Sequence, residues 1–287
     1  MTQKWKIGVG LRVPHYGEIF SEWPDVDFFE IISENYLSLS GTPKKNLDKA
    51  LSKYPLVMHG VSMNLGSTDE LDTRYLDKIK KLASYTGAPY LTDHLCWTGV
   101  DGVNYHDLLP MPYTRKNAVH FAEKIKQVQD YINIPFGIEN LSSYATFSSS
   151  EMTEWEFFNL VVELSGCSYM LDINNVYVSS VNAGFSPEEY LKSIKWEKVL
   201  QCHIAGHSKQ DDGSLIDTHD NPVCDEVWQL YQKAWEMSGG FHTLLEWDAN
   251  FMSFKDTHAE AQKARLYQPE VQHSFVPDSF KSREVLI

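Results

Sequence analysis

The stretch from Cys202 to Asp220 concentrates residues of the kinds that bind metal ions. It contains three of the chain's eleven histidines and four aspartates within nineteen residues. An apolar run leads into it, the chain breaks at Ala205-Gly206, and a polar, glycine-containing loop continues to His219. Imidazoles and carboxylates delivered from a strand end and the following loop are typical of metal sites. On its own the stretch fits a polar surface loop equally well, so the rest of the chain has to decide.

Similar residues recur at the carboxyl ends of six consecutive apolar runs. They are His59; Asp93 and His94; Glu139 and Asn140; Asp172, Asn174 and Asn175; His203 and His207 with Asp217 and His219; and Glu246 and Asp248. A lone histidine or glutamate at a strand end is usually a hydrogen-bonded structural residue. Six such ends aimed at one cavity would repel each other and lose solvation unless cations neutralise them. The set exceeds the capacity of one ion and lacks thiolates, which favours two or three ions of iron, manganese or zinc with bridging carboxylates.

The elements that would position these residues are visible as eight apolar runs. They are Ile7–Leu11, Asp27–Ile32, Leu56–Met63, Tyr90–Trp97, Pro135–Leu141, Tyr169–Val176, Val199–Ile204 and Thr243–Trp247. Most are nearly continuous, without alternation of polar and apolar residues. This pattern is typical of strands that are buried on both faces.

Helix signals separate the runs. Capping-box patterns at Ser67-x-x-Glu70 and Thr153-x-x-Glu156 predict helices that end near Tyr85 and Gly166, and Ser186-Pro187 predicts a third helix start. Further helical segments are predicted over Pro112–Tyr131, Val223–Ser238, Ser253–Tyr267, His15–Phe20 and Lys44–Lys53.

Eight strands alternating with helices predict an α/β fold, the (β/α)8 TIM barrel, as a single domain over residues 1–267. The polar segment 268–287 is expected to be a tail that the barrel does not need. A doubly wound open sheet is the competing layout, but it normally carries a glycine-rich nucleotide turn after its first strand. Here Gly8 and Gly10 lie inside the strand, and the third glycine of the GxGxxG pattern is missing.

Composition excludes several classes of function. A net charge of −14 and a pI near 5.2 argue against nucleic-acid binding. No run approaches the ~20 apolar residues of a membrane span, and the first residues lack an apolar signal core, so a cytoplasmic protein is expected.

The four cysteines form no CxxC pair, and Cys96 and Cys202 are interpreted as small core residues. GxSxG, GxxxxGK[ST] and HExxH motifs are absent from the sequence.

Ten motifs, in order along the chain, carry a resemblance to a known family. They are GLRVPHY (10–16), FFEIISENY (28–36), MHGVSMNLGS (58–67), TDHLCW (92–97), HDLLPMPYT (106–114), GIENLSSY (137–144), LDINNVYVS (171–179), HIAGH (203–207), IDTHDNPV (216–223) and LLEWD (244–248). They are similar to a bacterial family of multinuclear non-haem iron proteins. That family includes the iron subunit of the methanobactin-forming oxidase and the bufferin-type peptide-modifying enzymes. The resemblance spans about residues 7 to 267 and implies a xylose-isomerase-like TIM barrel.

The resemblance also implies a ligand set. The iron ligands would be His59, His94, Glu139, Asp172, His203, Asp217, His219 and Glu246. The methanobactin-type enzyme has a further histidine three residues after its strand-six aspartate, where this chain has Asn175. An amide oxygen is a weaker ligand, so we expect Asn175 to form a weak, exchangeable metal position. Glu139, Asp172 and His203 are predicted to be catalytic, whereas His207 and Asp248 are expected to orient ligands.

The function implied by the resemblance is an O2-dependent oxidase with two or three iron ions, Fe(II)/Fe(III), that modifies cysteine in a ribosomally synthesised precursor peptide. A small leader-binding protein is the implied partner in a heterodimer. The residues alone leave two alternatives open, because a fold does not select a reaction. One is a divalent-metal sugar isomerase or phosphoester hydrolase on the same barrel. The other is a metal-binding partner protein without catalytic activity.

Overall fold

The apolar runs form short buried strands, as their composition predicts. The computed structural model describes residues 5–270 of the chain. Its strands are β1 (Ile7–Gly10), β2 (Phe28–Ile32), β3 (Leu56–His59), β4 (Leu91–His94), β5 (Trp97–Val100), β6 (Val103–Leu109), β7 (Phe136–Glu139), β8 (Ser168–Asp172), β9 (Val199–Ile204), β10 (Ser208–Lys209), β11 (Leu215–Ile216) and β12 (His242–Leu245).

Eight of these strands close into a parallel barrel. Their order around the barrel is β1, β12, β9, β8, β7, β4, β3 and β2, and the pairing of Ile7 with Thr243 closes it between the first and last strands. Every pairing in the barrel is parallel, so all eight carboxyl ends lie at one rim. The predicted single-domain TIM barrel is confirmed.

Helices surround the barrel. They are α1 (Tyr16–Glu22), α2 (Gly41–Leu51), α3 (Thr73–Thr86), α4 (Arg115–Ile132), α5 (Glu154–Ser165), α6 (Ile173–Ala183), α7 (Pro187–Ser193), α8 (Asp225–Ser238) and α9 (Phe254–Gln262). Short 3-10 turns precede α1, follow β2, precede β9 and extend α9. Apolar side chains such as Phe29, Ile79, Phe121 and Phe158 are fully buried where the helices pack on the strands.

The two predicted capping boxes have different outcomes. At α5 the box is present, because the Thr153 hydroxyl accepts the Glu156 N–H at 3.3 Å and the Glu156 carboxylate accepts the Thr153 N–H at 2.8 Å. At Ser67 the prediction is wrong, since α3 begins at Thr73 with Asp72 as its N-cap. The Ser67 hydroxyl accepts the N–H of Asp69 and not that of Glu70, and the Ser67 carbonyl accepts hydrogen bonds from the side chains of His120 and Lys124.

The predicted sixth barrel strand, Tyr169–Val176, is too long. Strand β8 ends at Asp172, and α6 begins at the next residue with the Asp172 carboxylate accepting the Asn175 N–H at 2.6 Å. The first turn of α6 is buried on all sides, so an uninterrupted apolar run covers the strand end and the helix start alike. Asn175 therefore lies in the first turn of a helix and not in a loop.

Two short antiparallel hairpins at the rim were not predicted. β5 pairs with β6 beyond the end of β4, and β10 pairs with β11 in the loop after β9. The register of the first hairpin shifts between Trp97 and Gly99, which is characteristic of a bulge. Strand β6 is largely exposed and has no buried face to give it a hydrophobic pattern.

The first residues of the predicted tail contact helix α8. The Gln268 side chain donates a hydrogen bond to the Tyr231 hydroxyl at 2.6 Å, and Trp235 donates to the Pro269 carbonyl at 3.1 Å. The rest of the predicted tail, from residue 271, lies outside the described residues. Among the helices of residues 5–270, none is long and apolar enough to cross a membrane.

The capping box at α5 generates a stability prediction. Thr153→Ala removes the hydroxyl that accepts the Glu156 N–H, so the free energy of unfolding should fall by about 1 kcal/mol. Ser186→Ala is the matched control, because Ser186 also occupies an N-cap position but its side chain makes no capping hydrogen bond. Urea titration followed by circular dichroism should show a clear loss for the first variant and at most about 0.5 kcal/mol for the second. Equal losses would show that the Thr153 hydroxyl is not a stabilising cap.

Candidate metal centre

The rim at the carboxyl ends of the strands brings histidines and carboxylates into three adjoining groups. Within each group, one ligand atom per residue lies within 4.8 Å of every other. The groups are His59, His94 and Glu139; Glu139, Asp172, His203 and Glu246; and His219, Glu246 and Asp248. Glu139 and Glu246 each belong to two groups. A carboxylate has two oxygens, so this sharing is the geometry that bridging ligands between neighbouring cations require.

The first group is held in place by contacts behind its imidazole rings. His59 Nδ1 lies 2.8 Å from the Thr92 hydroxyl, and His94 Nδ1 lies 3.1 Å from the Gly60 carbonyl. The other ring nitrogen of each histidine faces Glu139, at 3.4 Å from His59 and 3.1 Å from His94. A histidine whose second nitrogen is fixed by a hydrogen bond is typical of metal sites, because the contact sets the ring orientation.

His203 lies at the middle of the centre and is fully buried. Its Nδ1 is 3.1 Å from Glu246 and 3.8 Å from Glu139. Its Nε2 is 3.1 Å from the carboxylate of Glu30, a residue of β2 that was not among the predicted site residues. The side chain of Gln201 also lies 3.0 Å from this Nε2. Glu30 therefore orients His203 from behind and leaves Nδ1 facing the shared carboxylates.

The Glu246 carboxylate contacts one guanidinium and two imidazoles. One oxygen accepts from the Arg12 guanidinium at 3.3 Å, and the other lies 3.1 Å from His203 and 3.5 Å from His219. Asp248 accepts from Arg12 at 2.8 Å and lies 3.1 Å from His219 Nδ1. The predicted orienting role of Asp248 is compatible with these contacts, although Asp248 also belongs to the third group and could itself bind a cation.

Asp217 approaches the centre from the loop between β11 and α8. Its carboxylate lies 2.7 Å from His219 Nε2 and accepts a hydrogen bond from Asn174 at 2.7 Å, but it belongs to none of the three groups found in the described residues. His207 lies 2.7 Å from the other end of the Asn174 amide. His207 therefore acts on Asp217 through Asn174 and does not contact the centre itself.

Asn175 lines the cavity that opens onto the centre. Its Nδ2 donates to the Asn140 carbonyl at 3.0 Å, and its buried Oδ1 has no hydrogen-bond partner. Asn140 in turn pairs with both backbone groups of Asp172 at 2.9 Å and serves the strand architecture. Asp93 belongs to none of the three groups of the described residues, because its carboxylate accepts the backbone N–H groups of His94 and Met63.

Burial controls protonation in the outer part of the centre. It lowers the pKa of His94 to about 4 and that of His59 well below its usual value, so both rings are neutral and able to donate a lone pair. Burial raises the pKa of Glu139 well above its usual value. Burial, with the nearby Asp217 charge, raises the pKa of Asp172 to about 7. These carboxyls hold protons readily, and a divalent cation would displace those protons on binding.

Charge pairing controls protonation around His203. Burial alone would lower the pKa of His203, but the carboxylates of Glu30 and Glu246 outweigh burial and raise it well above the usual value. His219 behaves in the same way, with Asp217 and Glu246 outweighing burial. For Glu246, burial is outweighed by His219 and His203, and its pKa falls well below the usual value. Two imidazolium ions and the Arg12 guanidinium thus stabilise the Glu246 carboxylate.

Several buried atoms that face the centre make no hydrogen bond within the described residues. They are His59 Nε2, Glu139 Oε2, Asp172 Oδ2 and Asn175 Oδ1. Buried polar atoms without a partner are costly, and free nitrogen and oxygen atoms on residues of the three groups and on Asn175 fit bound cations. Nitrogen and oxygen donors without thiolate suit iron, manganese or zinc. Burial raises the pKa of Cys96 and Cys202 well above the usual value, which agrees with their interpretation as core residues.

A cavity of about 370 Å³ gives access to the centre. Side chains of the first and third groups line the cavity, together with Asp107, Leu108 and Tyr144. This volume is larger than a few ions require and accommodates part of a substrate next to them. The loops after β3 and β7 and the hairpin β5–β6 shape the opening.

Two site residues were missed from the sequence. Glu30 is the one charged residue in the apolar run FFEII, and a carboxylate within a strand buried on both faces is itself a signal of a partner. Arg12 follows β1 and is buried against Glu246 and Asp248. The sequence gives less indication that Arg12 belongs to the site, because an arginine two residues after a strand is usually an exposed loop residue.

The chain matches a known protein family over almost its whole length. Residues 6–269 match a family described as "RiPP precursor modification enzyme MbnB/TglH/ChrH", where RiPP denotes a ribosomally synthesised and post-translationally modified peptide. A UPF0276 protein of Caulobacter vibrioides is 45% identical over 259 residues, which cover 90% of this chain and 92% of that protein.

Solved structures share the fold. A xylose isomerase-like TIM barrel protein from Mycobacterium smegmatis, determined with magnesium, superposes with a TM-score of 0.59 at 10% identity, covering 93% of this chain and 98% of that one. D-psicose 3-epimerase from Clostridium cellulolyticum gives a TM-score of 0.57 at 12% identity, covering 92% and 98%. These likenesses establish the xylose-isomerase-like barrel and nothing about the reaction.

Glu139 generates a prediction about metal content. Glu139→Gln keeps the side-chain shape but removes the charge that two groups share, so the protein should lose more than one metal ion per chain. The affinity of the remaining sites should fall at least about 10- to 100-fold, the loss typical of weaker perturbations around a metal. Metal content after anaerobic loading and desalting measures the effect. Glu154→Gln is the control, since Glu154 is a partly buried carboxyl bonded to Ser143, away from the three groups. Full metal content in Glu139→Gln would exclude a bridging role.

Asn175 generates a second prediction. If its free amide oxygen binds a cation weakly, Asn175→His should increase the metal retained after brief chelation, because imidazole is the stronger ligand. Asn175→Ala should lower retention of one ion and leave the others bound. Time courses of metal loss to a chelator separate the three proteins. Identical time courses for all three would contradict a ligand role for Asn175.

Proposed function

Because this chain belongs to the family of RiPP precursor modification enzymes MbnB/TglH/ChrH, we propose that it is a multinuclear iron oxidase that uses O2 to modify cysteine in a precursor peptide. The observation that carries the proposal is the sharing of Glu139 and Glu246 among three adjoining donor groups. Such sharing favours several cations in contact over a single isolated ion. The cavity beside them leaves room for a side chain of the substrate.

The proposed ligands follow from the geometry and the resemblance together. His59 and His94 would hold one ion with Glu139, and His203 and Asp172 would hold a second with Glu139 and Glu246. A third would lie near His219 with donors from the following set: Glu246, Asp217, Asp248 and Asn175. Iron bound there would supply a site for the substrate thiolate and a route for electrons to O2.

The protein's own residues would prepare the substrate. Asp172 has one oxygen without a hydrogen-bond partner, and we assign to it the role of accepting the proton of the cysteine thiol. Glu30, Thr92 and the Gly60 carbonyl fix the histidine rings, so the reacting groups meet in a set orientation. Glu139, Asp172 and His203 are thus the proposed catalytic residues.

The substrate would be a cysteine-containing precursor peptide, presented by a small leader-binding protein in a heterodimer. The peptide fits the family description, and the partner rests on the resemblance of the motifs alone. A short cysteine-containing reading frame and a small partner gene beside this gene would be the natural source of both. We propose that the reaction takes place in the cytoplasm, where precursor peptides are synthesised.

Metal analysis combined with O2 uptake tests the proposal. Protein loaded anaerobically with ferrous iron should retain more than one iron per chain. It should consume O2 when given the cysteine peptide from a neighbouring reading frame, together with the co-encoded partner. The same peptide with serine in place of cysteine is the control, and it should give no uptake. At most one zinc and no iron per chain, or equal uptake with both peptides, would overturn the proposal. Turnover of a ketose without thiol-dependent uptake would favour a sugar isomerase instead.

A further inference from the structure

The cavity at the metal centre continues into two further cavities. The first, of about 360 Å³, shares Val61, Asp107 and Leu108 with the cavity at the centre. The second, of about 300 Å³, shares Ser62, Thr98 and Asn104 with the first. The three cavities therefore adjoin in series. We name the two outer ones the hairpin groove, because they are lined by hairpin β5–β6 on one side and by residues 61–72 on the other.

The walls of the hairpin groove are tied together. The Asn64 side chain accepts the Thr98 N–H at 2.7 Å and donates to the Gly99 carbonyl at 3.0 Å. At the hairpin tip, the Asp69 carboxylate accepts the N–H groups of Asp101 and Gly102 at 3.0 and 3.2 Å. The width of the groove is thus fixed before any ligand arrives, which lowers the entropy cost of binding.

The bulge in the hairpin connects the groove to the centre. Asn104 pairs with Gly99 and Leu109 with Trp97, so the residues between them on β6 are unmatched on β5. Asp107 and Leu108 lie in this unmatched segment and line both the central cavity and the first outer one. A bulge next to a site commonly redirects side chains in this way.

The charge of the groove is one-sided. Asp69, Glu70 and Asp72 line its far end, and Asp107 lines the end near the centre. None of the described residues that line the three cavities is a lysine or an arginine. Two cations lie next to the far end: Arg74 is 3.5 Å from the Asp72 carboxylate, and Lys124 donates to the Ser67 carbonyl and interacts with Asp69 and Glu70. Glu70 is exposed, and three carboxylates at this end stand against these two cations. The far end would attract a cationic group and repel an anionic one.

We propose that the hairpin groove binds the part of the precursor peptide next to the modified cysteine, in extended form, with a lysine or arginine at the far end. This inference rests on the proposed function for the identity of the ligand. The shape supports it, since a series of cavities that opens from the centre suits a chain and not a compact small molecule. A peptide that occupies the groove would hold its cysteine at the metal centre.

The probe is a set of labelled synthetic peptides, each with one cysteine and one lysine separated by roughly three to seven serine and glycine residues. Because an extended chain advances about 3.3 Å per residue, this range samples separations of roughly 13–26 Å between the cysteine and the lysine. Each peptide is made with lysine on either side of the cysteine, and a second set carries glutamate in place of lysine. Binding to the iron-loaded protein is measured by fluorescence anisotropy without O2, so that affinity does not depend on turnover.

Two pairs of variants locate the binding. Ser62→Trp fills the junction of the two outer cavities, and Ser84→Trp places the same bulk on the exposed face of α3. Glu70→Lys reverses the charge at the far end, and Glu123→Lys makes the same change on the exposed face of α4. The charge pair keeps the test decisive if Ser62→Trp folds poorly.

At the best spacing, the wild type should bind the lysine peptide about fivefold more tightly than the glutamate peptide, with the difference reduced by salt. Ser62→Trp should abolish the preference and Glu70→Lys should reverse it, whereas both control variants should keep it. Equal binding of the two peptides by the wild type, or a preference that survives both groove variants, would overturn the proposal. Lysine-selective binding without thiol-dependent O2 uptake would leave the groove standing and refute the oxidase alone.

Discussion

Four carboxyl groups, those of Glu30, Glu139, Asp172 and Glu246, lie buried around the imidazole of His203 at one rim of the barrel. Removing a carboxylate from water costs several kcal/mol unless a cation or hydrogen bonds compensate. A parallel barrel concentrates this cost, because all strands end at the same rim. Several loops at this rim offset that cost: Arg12 after β1 and His219 before α8 contribute charge, and the Gly60 carbonyl after β3 fixes the ring of His94.

Compensation by the protein alone is incomplete. Arg12 and the imidazoles of His203 and His219 neutralise Glu246, whose pKa falls as a result. His203 lowers the pKa of Glu139, and His219 and His203 lower that of Asp172, but burial outweighs them and raises the pKa of both carboxyls. The centre thus divides into a half balanced by protein cations and a half balanced by protons. Metal ions would enter the second half by exchange with those protons, so metal affinity and pH must be linked there.

The sequence predicted the parts of this arrangement that follow from periodicity and ligand chemistry. Buried parallel strands leave continuous apolar runs, and His59, Glu139 and Glu246 stand out at their ends. It could not predict the end of β8, because the first turn of α6 is as buried as the strand before it. The hydrophobic pattern of the sequence did not predict hairpin β5–β6 either, because exposed strand β6 has no apolar face. Periodicity therefore did not predict the end of β8 or the hairpin, because tertiary contacts set both.

The barrel alone does not determine the substrate. The xylose isomerase-like and epimerase structures share the fold at 10–12% identity, and a fold does not select a reaction. Substrate size is decided by what surrounds the rim. Here the bulged hairpin stands beside the central cavity, and Asn64 holds it against the loop after β3, leaving space between them. A small sugar is best served by a closed pocket, whereas a peptide needs a path for the chain on at least one side of the reacting residue. The proposed groove would offer such a path, because the hydrogen bonds that hold the hairpin run to Asn64 and Asp69 of the segment between β3 and α3, outside the three donor groups.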